Sequence, residues 1–422
     1  MRIICSLILA FVFQGFSQSD DENPKKHSLL RNQRLLREIS WQGDSICTAA
    51  LRLSGDSLDF VLKSRDFSFR LNDRQYDGFS GWNILQKDTI ADNFGGEGIK
   101  LTVVPTSNKA PNFVLCLYYM VYPELPLIRK WISIKNTDGS AVLKLEALNI
   151  EDLCTTLDNV HSVVHHNYAR MKHLGRYVGD WDDPVMVVHQ TTKSRGIALG
   201  NETMGILKRT AYHTQDNNIE VGLTHQTQPF PFRKYIASQE EWHSPKTFIA
   251  LYGNRDDGFQ VVDDEVNRFV TLHMGNRITQ MRTKPTFVYN TWYPFRTNIN
   301  DSLIRSVAKA AAECGIMEFV VDDGWQVNHH GRSTTRGWGE NYGDWLVDRN
   351  KFPDGLAPTF DYIKSLGMKP GLWVSIASAT KDAKVFETHP EWFVKNVAGK
   401  PGNLHYESTI DTGFYTASFG TE

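Results

Sequence analysis

The sequence predicts a chain in two parts, a large antiparallel β-sandwich followed by the opening of a parallel α/β fold. Three observations predict it. From about residue 30 to 275, short β-rich runs follow one another, with no long 3.6-residue periodicity before Val261. After Pro285 the pattern becomes strand–helix–strand–helix–strand, as in a parallel sheet with crossover helices. The composition is that of an ordinary globular protein: 41% of the 422 residues are apolar and 22% charged. With 46 Lys+Arg against 48 Asp+Glu the net charge is −2, which excludes nucleic-acid binding driven by a basic field. The length is enough for two or three domains, each with a full core.

In chain order, residues 1–17 read as an export signal. Met1-Arg2 is a short positive start, Ile3 to Phe13 is apolar apart from Ser6, and Gly15-Phe16-Ser17 places small residues at −3 and −1 before Gln18. The apolar run is too short to span a bilayer. The product is therefore expected to be secreted or periplasmic, with no membrane attachment after cleavage. Residues 18–29 read as a polar leader. Cys5 lies inside the apolar run; Cys47, Cys116, Cys154 and Cys314 show no Cys-x-x-Cys spacing and are read as buried free thiols. No Cys/His set has zinc-site spacing, and neither metal nor cofactor is expected.

The sandwich is expected over 30–280. Leu115 to Tyr122 is a buried-strand run closed by Pro123. Ile128 to Lys135 and Val142 to Ala147 flank Asn136-Thr137-Asp138-Gly139, which predicts a hairpin across that turn. Shorter runs occur at Phe67–Arg70, Ile99–Val104, Met186–His189 and Phe248–Tyr252, and Val261 to Phe269 has helical spacing. The α/β part is expected over 281–422. Thr286 to Asn290 is its first strand. Asn300 to Cys314 is a helix capped by Asn300/Asp301 and stopped by Gly315, and Glu318 to Asp322 is the second strand. Leu356 to Leu366 is a helix stopped by Gly367, and Lys369 to Val374 is the third strand. Three strands make only part of a barrel, so this domain reads as truncated.

In parallel α/β folds the functional groups sit where strands end. Here the first strand delivers Trp292 and Tyr293, the second Asp322-Asp323-Gly324-Trp325, and the third Trp373. Aromatic faces stack on the C–H face of a pyranose and carboxylates accept hydrogen bonds from its hydroxyls, so this convergence suits a sugar pocket. Asp322 and Asp323 also suit a loop cap. As a catalytic pair they are rejected. Neighbours on a strand point to opposite sides, so adjacency argues against two carboxyls clamping one sugar carbon.

Phe319-Val320-Val321-Asp322-Asp323-Gly324-Trp325, Gly343-Asp344-Trp345-Leu346-Val347-Asp348-Arg349, Lys351-Phe352-Pro353-Asp354-Gly355-Leu356 and Leu366-Gly367-Met368-Lys369-Pro370-Gly371-Leu372-Trp373 follow in order, and His389-Pro390-Glu391-Trp392 continues them. Together they closely resemble the α-galactosidases of glycoside hydrolase family 36, over about residues 290 to 412. Trp242-His243-Ser244-Pro245 and Phe248 to Tyr252 fit that family's N-terminal β-supersandwich less tightly. The resemblance implies a supersandwich followed by the first part of a (β/α)8 barrel, cut after about three strands. It further implies that Asp322 and Asp323 bind the galactose 4- and 6-hydroxyls, that Trp292, Tyr293 and Trp373 line the −1 pocket, and that Trp345 lies on its rim.

In the family the nucleophile sits in a Lys-x-Asp motif on the fourth barrel strand, and the acid/base follows the sixth. Ile410-Asp411-Thr412 resembles the segment ahead of that fourth strand, and no Lys-x-Asp occurs between Trp373 and Glu422. The resemblance thus implies an exported retaining α-galactosidase acting on terminal α-galactosyl residues. Its catalytic residues are expected beyond Glu422, leaving this chain inactive alone, and the full-length protein is a candidate homo-oligomer. The alternatives are an α-N-acetylgalactosaminidase, a galactosyltransferase of the raffinose-synthase type, or a non-catalytic carbohydrate-binding protein.

Overall fold

The computed structural model describes residues 27–165, 170–173, 177–178, 184–203, 205–228, 231–275, 285–335, 339–395 and 414–418. The expected export signal and Ile410-Asp411-Thr412 lie outside them. The chain divides into two compact units, residues 1–277 and 278–422.

The first unit is antiparallel β-structure. His27–Arg31 already forms a strand, beginning inside the segment expected to be a leader, because Ser28 and Leu30 alternate inward. It pairs with Leu35–Ser40, which pairs with Cys47–Leu53 in a three-stranded sheet. A seven-stranded sheet is organised around the long strand Leu143–Cys154, flanked by Asp66–Leu71 and Asn218–Leu223. A ten-stranded sheet runs through Thr247–Tyr252, Leu127–Asn136, Phe113–Val121 and Glu97–Pro105 to Trp82–Ala91. Alternating apolar residues from all three sheets, among them Leu35, Phe67, Leu117, Ile132 and Ile150, form one core.

The expected hairpin across Asn136–Gly139 does not form. Leu127–Asn136 pairs with Phe113–Val121 in the ten-stranded sheet, whereas Leu143–Cys154 belongs to the seven-stranded one. The cause lies in the corner's own side chains. Asn136 Oδ1 accepts from the Asp138 N–H, Asn136 Nδ2 donates to the Ala141 carbonyl at 2.7 Å and the Ile236 carbonyl at 3.1 Å, and Asp138 Oδ1 accepts from Ser140 and Ala141. These bonds turn the chain from one sheet to the other instead of folding it back on itself. The helix read at Val261–Phe269 starts as a π-turn at Val262–Val266 and continues as Asn267–His273. Cys47 and Cys116 are buried free thiols as expected, but Cys154 is half-buried and Cys314 exposed, because Cys314 follows the last turn of a surface helix.

At the centre of the first unit lies an ionic knot with no exposed atoms. Arg37 donates both Nη groups to Glu151, at 2.7 and 2.8 Å, and one of them to Asp66 at 2.8 Å. Lys130 Nζ donates to Asp66 Oδ2 at 2.8 Å and to Glu151 Oε2 at 3.3 Å, while Tyr119 and Thr48 hydroxyls also donate to Asp66. Two cations meet two carboxylates, and the side chains come from all three sheets. Burial alone would raise the Asp66 carboxyl, but Lys130 and Arg37 outweigh it and hold it well below the usual carboxylate range.

The second unit contains a parallel sheet of Val288–Asn290, Glu318–Val321 and Lys369–Leu372, with the middle strand from the middle of the sequence. Helix Asp301–Glu313 links the first pair; Asn300 caps it by accepting from the Leu303 N–H at 2.9 Å. Helix Ala357–Ser365 links the second pair. Ile304, Ala308, Ile363 and Met368 pack with Phe319 and Val321 of the central strand. Each strand therefore ends beside its neighbours' ends, and the loops that follow converge.

Candidate sugar-binding pocket

At those strand ends a cavity of about 400 Å³ is lined by Asn290, Trp292, Tyr293, Asp322 and Trp373. Four of these five were singled out in the sequence. Asn290 was not; an asparagine at a strand end reads as a turn residue. Its Nδ2 donates to Asp322 Oδ2 at 2.7 Å, which fixes the carboxylate's orientation, while Asp322 Oδ1 accepts from the Asp323 N–H at 2.7 Å. The Asp322 N–H in turn donates to Thr291 Oγ1 at 2.9 Å. Trp292 and Tyr293 follow in a single helical turn, Trp292–Phe295. Tyr293 is 84% exposed, and the Arg296 guanidinium lies over both rings, 5.0 Å from Trp292 and 5.8 Å from Tyr293.

Asp323 is placed differently. It does not line the cavity and has no exposed surface. Its Oδ1 accepts from Gln326 Nε2 and its Oδ2 from the Tyr342 hydroxyl, both at 2.7 Å. Burial pushes its carboxyl up against the pull of those donors. Trp345 stands outside the cavity lining too. It stacks on Tyr342, centroids 5.4 Å apart, and meets Trp373 edge-on at 6.2 Å, so it supports the wall from outside. Trp325 extends this aromatic chain: it stacks on Trp345 at 6.0 Å and donates its indole N–H to the Trp373 carbonyl at 3.0 Å.

The turn that separates Asp322 from Trp325 depends on Gly324. Its φ is +110°, and a Cβ there would lie 2.5 Å from the Thr297 Cα and 2.6 Å from the Thr297 carbonyl oxygen. Lys351 holds the same turn by donating to the carbonyls of Thr297, Gly324 and Thr334 at 2.7–2.8 Å, and burial pulls its ammonium pKa down. Gly324→Ala is expected to destabilise the second unit by at least about 2 kcal/mol, through both the backbone conformation and the clash. Denaturant titration of the variant checks this, and an unchanged midpoint would show that the turn tolerates a side chain.

The pocket offers one carboxylate acceptor, one amide and three aromatic rings. That set binds a polyhydroxylated ring by hydrogen bonds and C–H stacking. Among the described residues that line it, Asp322 brings the one carboxyl, where a retaining displacement uses two opposed ones. Asp323 is engaged by Gln326 and Tyr342 and is not part of the lining.

Residues 242–409 match the Melibiase family. The α-galactosidase of Escherichia coli is 30% identical over 164 residues, 39% of this chain and 22% of the relative. α-Galactosidase 2 of Pediococcus pentosaceus is 22% identical over 331 residues, 73% of this chain and 43% of the relative. The chain thus spans less than half the length of these curated relatives. Among solved structures, the family-36 α-galactosidase AgaA of Geobacillus stearothermophilus superposes with a TM-score of 0.68 at 14% identity, over 93% of this chain and 61% of that one. The α-galactosidase of Lactobacillus brevis gives 0.69 at 14% identity, over 93% and 59%. These two share the fold. Residues 242–409 thus resemble the Melibiase family, and the chain shares the fold of the family-36 α-galactosidase AgaA.

Proposed function

We propose that this chain is the N-terminal part of an exported retaining α-galactosidase, and that the pocket at Asp322 grips the terminal α-galactosyl residue of its substrate. The observation that carries the reading is the convergence of Asn290, Trp292, Tyr293, Asp322 and Trp373 on one cavity at the ends of adjacent parallel strands, within the segment that matches the Melibiase family. Asp322, oriented by Asn290, accepts from sugar hydroxyls, and Trp373 and Trp292 offer faces to the ring. Asp323 acts on the pocket through Tyr342, which stacks on Trp345 and packs against Trp373. Polypeptide after Glu422 supplies the nucleophile and the acid/base, completes the parallel sheet into a barrel, and forms a galactosyl-enzyme intermediate that water resolves.

Two measurements test this. A longer polypeptide extending through the next barrel strands should hydrolyse an aryl α-galactoside, whereas the 422-residue chain should bind galactose calorimetrically without turning over. Preference of the longer protein for the N-acetylated sugar, or transfer to an acceptor sugar in place of water, would overturn the galactosidase reading.

A further inference from the structure

We propose that His329, His330 and Glu387 bind one divalent transition-metal ion, zinc foremost, at a site separate from the sugar pocket. Among the described residues, one donor atom from each of these side chains lies within 4.8 Å of the other two. Tetrahedral zinc with nitrogen and oxygen ligands near 2.0–2.1 Å needs donor atoms about 3.4 Å apart. His330 and Glu387 are exposed, so rotation of their side chains closes the difference.

The arrangement around His329 suits a metal ligand. Its Nδ1 lies 3.0 Å from Asp344 Oδ2, so a proton on Nδ1 leaves the Nε2 lone pair facing outward. That Nε2 is 3.7 Å from Glu387 Oε2. A carboxylate behind an imidazole fixes the tautomer and ring plane and raises the ligand's basicity. Asp344 is itself held by the His329 N–H at 3.1 Å and by the Lys384 N–H at 2.8 Å. The His330 ring lies 3.8 Å from the His329 ring, centroid to centroid, and its backbone N–H is anchored on Asn328 Oδ1 at 3.1 Å. The neighbouring Arg332 guanidinium is engaged by Asp382 at 2.7 Å, which offsets its charge.

Two imidazoles and one carboxylate leave a fourth position for water. Such an ion would clamp the loop after Gln326–Val327, which carries His329 and His330, to helix Lys384–Thr388, and through the His329–Asp344 bond it would steady neighbouring Trp345. Its role is to hold that loop, with no part in bond cleavage. The ligands escape a spacing search because the third arrives on a later helix.

The test is calorimetric titration of zinc into the chelator-treated chain, in a Cys314→Ser background that removes the exposed thiol. One equivalent should bind with Kd of about 10 µM or lower. His329→Ala should abolish that binding, and Glu387→Gln, at an exposed position, should weaken it with an unchanged circular dichroism spectrum. Asp344→Asn should weaken it about 10–100-fold, as loss of a supporting carboxylate does. Cobalt in place of zinc should give visible d–d absorption that His329→Ala loses. Uptake well below one equivalent, or zinc binding by His329→Ala and Glu387→Gln equal to that of the parent, would overturn the proposal and leave the His329–Glu387 contact as an ion pair only.

Discussion

Replacing Arg37 with alanine is expected to cost the first unit about 3–5 kcal/mol, a large part of a domain's whole stability. The loss exceeds that of the hydrogen bonds alone. Removing the guanidinium leaves Asp66 and Glu151 sharing one cation, Lys130, in a site with no exposed atoms. Arg37→Met in the same assay should fail comparably, since a matched apolar side chain still strands the carboxylates. Acid should act on the same knot. The folded Asp66 carboxyl titrates well below its unfolded value near 3.9, so its contribution is complete above about pH 4 and drains as the pH falls further. Urea midpoints at successive pH values, compared between the parent and Asp66→Asn, read that contribution. Equal midpoints for Arg37→Ala and the parent would show that the knot adds no net stability.

Asp322→Ala should weaken galactose binding by about 1.5–3 kcal/mol, roughly 10–150-fold, the usual worth of a hydrogen bond to a charged group. On the proposed function the same contact would help hold the distorted transition state in a longer polypeptide, so Asp322→Asn there should lower kcat/KM by about one to two orders of magnitude. Azide discriminates this role from chemistry. Asp322→Gly opens space beside the sugar, yet azide should not restore turnover, because the missing group neither attacks nor donates a proton. Azide-dependent recovery with a glycosyl azide product would show that Asp322 is a catalytic carboxyl, the nucleophile if the azide is inverted and the acid/base if it is retained. Unchanged kinetics would reduce it to a loop cap.

Strand alternation does not account for Asp322 and Asp323, because the strand ends at Val321 and both aspartates lie in the turn that follows; there Asp322 meets Asn290, and Asp323 meets Gln326 and Tyr342. Trp292, Tyr293 and Trp373 were singled out because they follow the ends of sequence-readable strands, and the structure places all three beside the cavity. What closes around Asp323 was not legible in the sequence. Tyr342 reaches it from a loop 19 positions on, and Gln326 turns back from three positions on. Nothing local in either residue announces the contact. Trp345 was read as a rim residue; its backbone sits at φ +52°, with the ring between Tyr342, Trp325 and Trp373. The Asn136–Gly139 corner misled because Asn-x-Asp-Gly has hairpin chemistry, and only the capture of Asn136 by Ile236, 100 positions later, sends the chain into another sheet.

That corner has a kinetic consequence. By parting Leu127–Asn136 from Leu143–Cys154, it forces the latter to find partners far along the chain, at Asp66–Leu71 and Asn218–Leu223. Glu151, on the same strand, must also meet Arg37 across 114 positions. Loop closure of that span precedes any reward from pairing, so refolding of this unit should be slow compared with a domain built of local hairpins. During that interval, unpaired strand edges remain open to other chains. Dilution from denaturant at low protein concentration should therefore recover more soluble chain than the same dilution at high concentration.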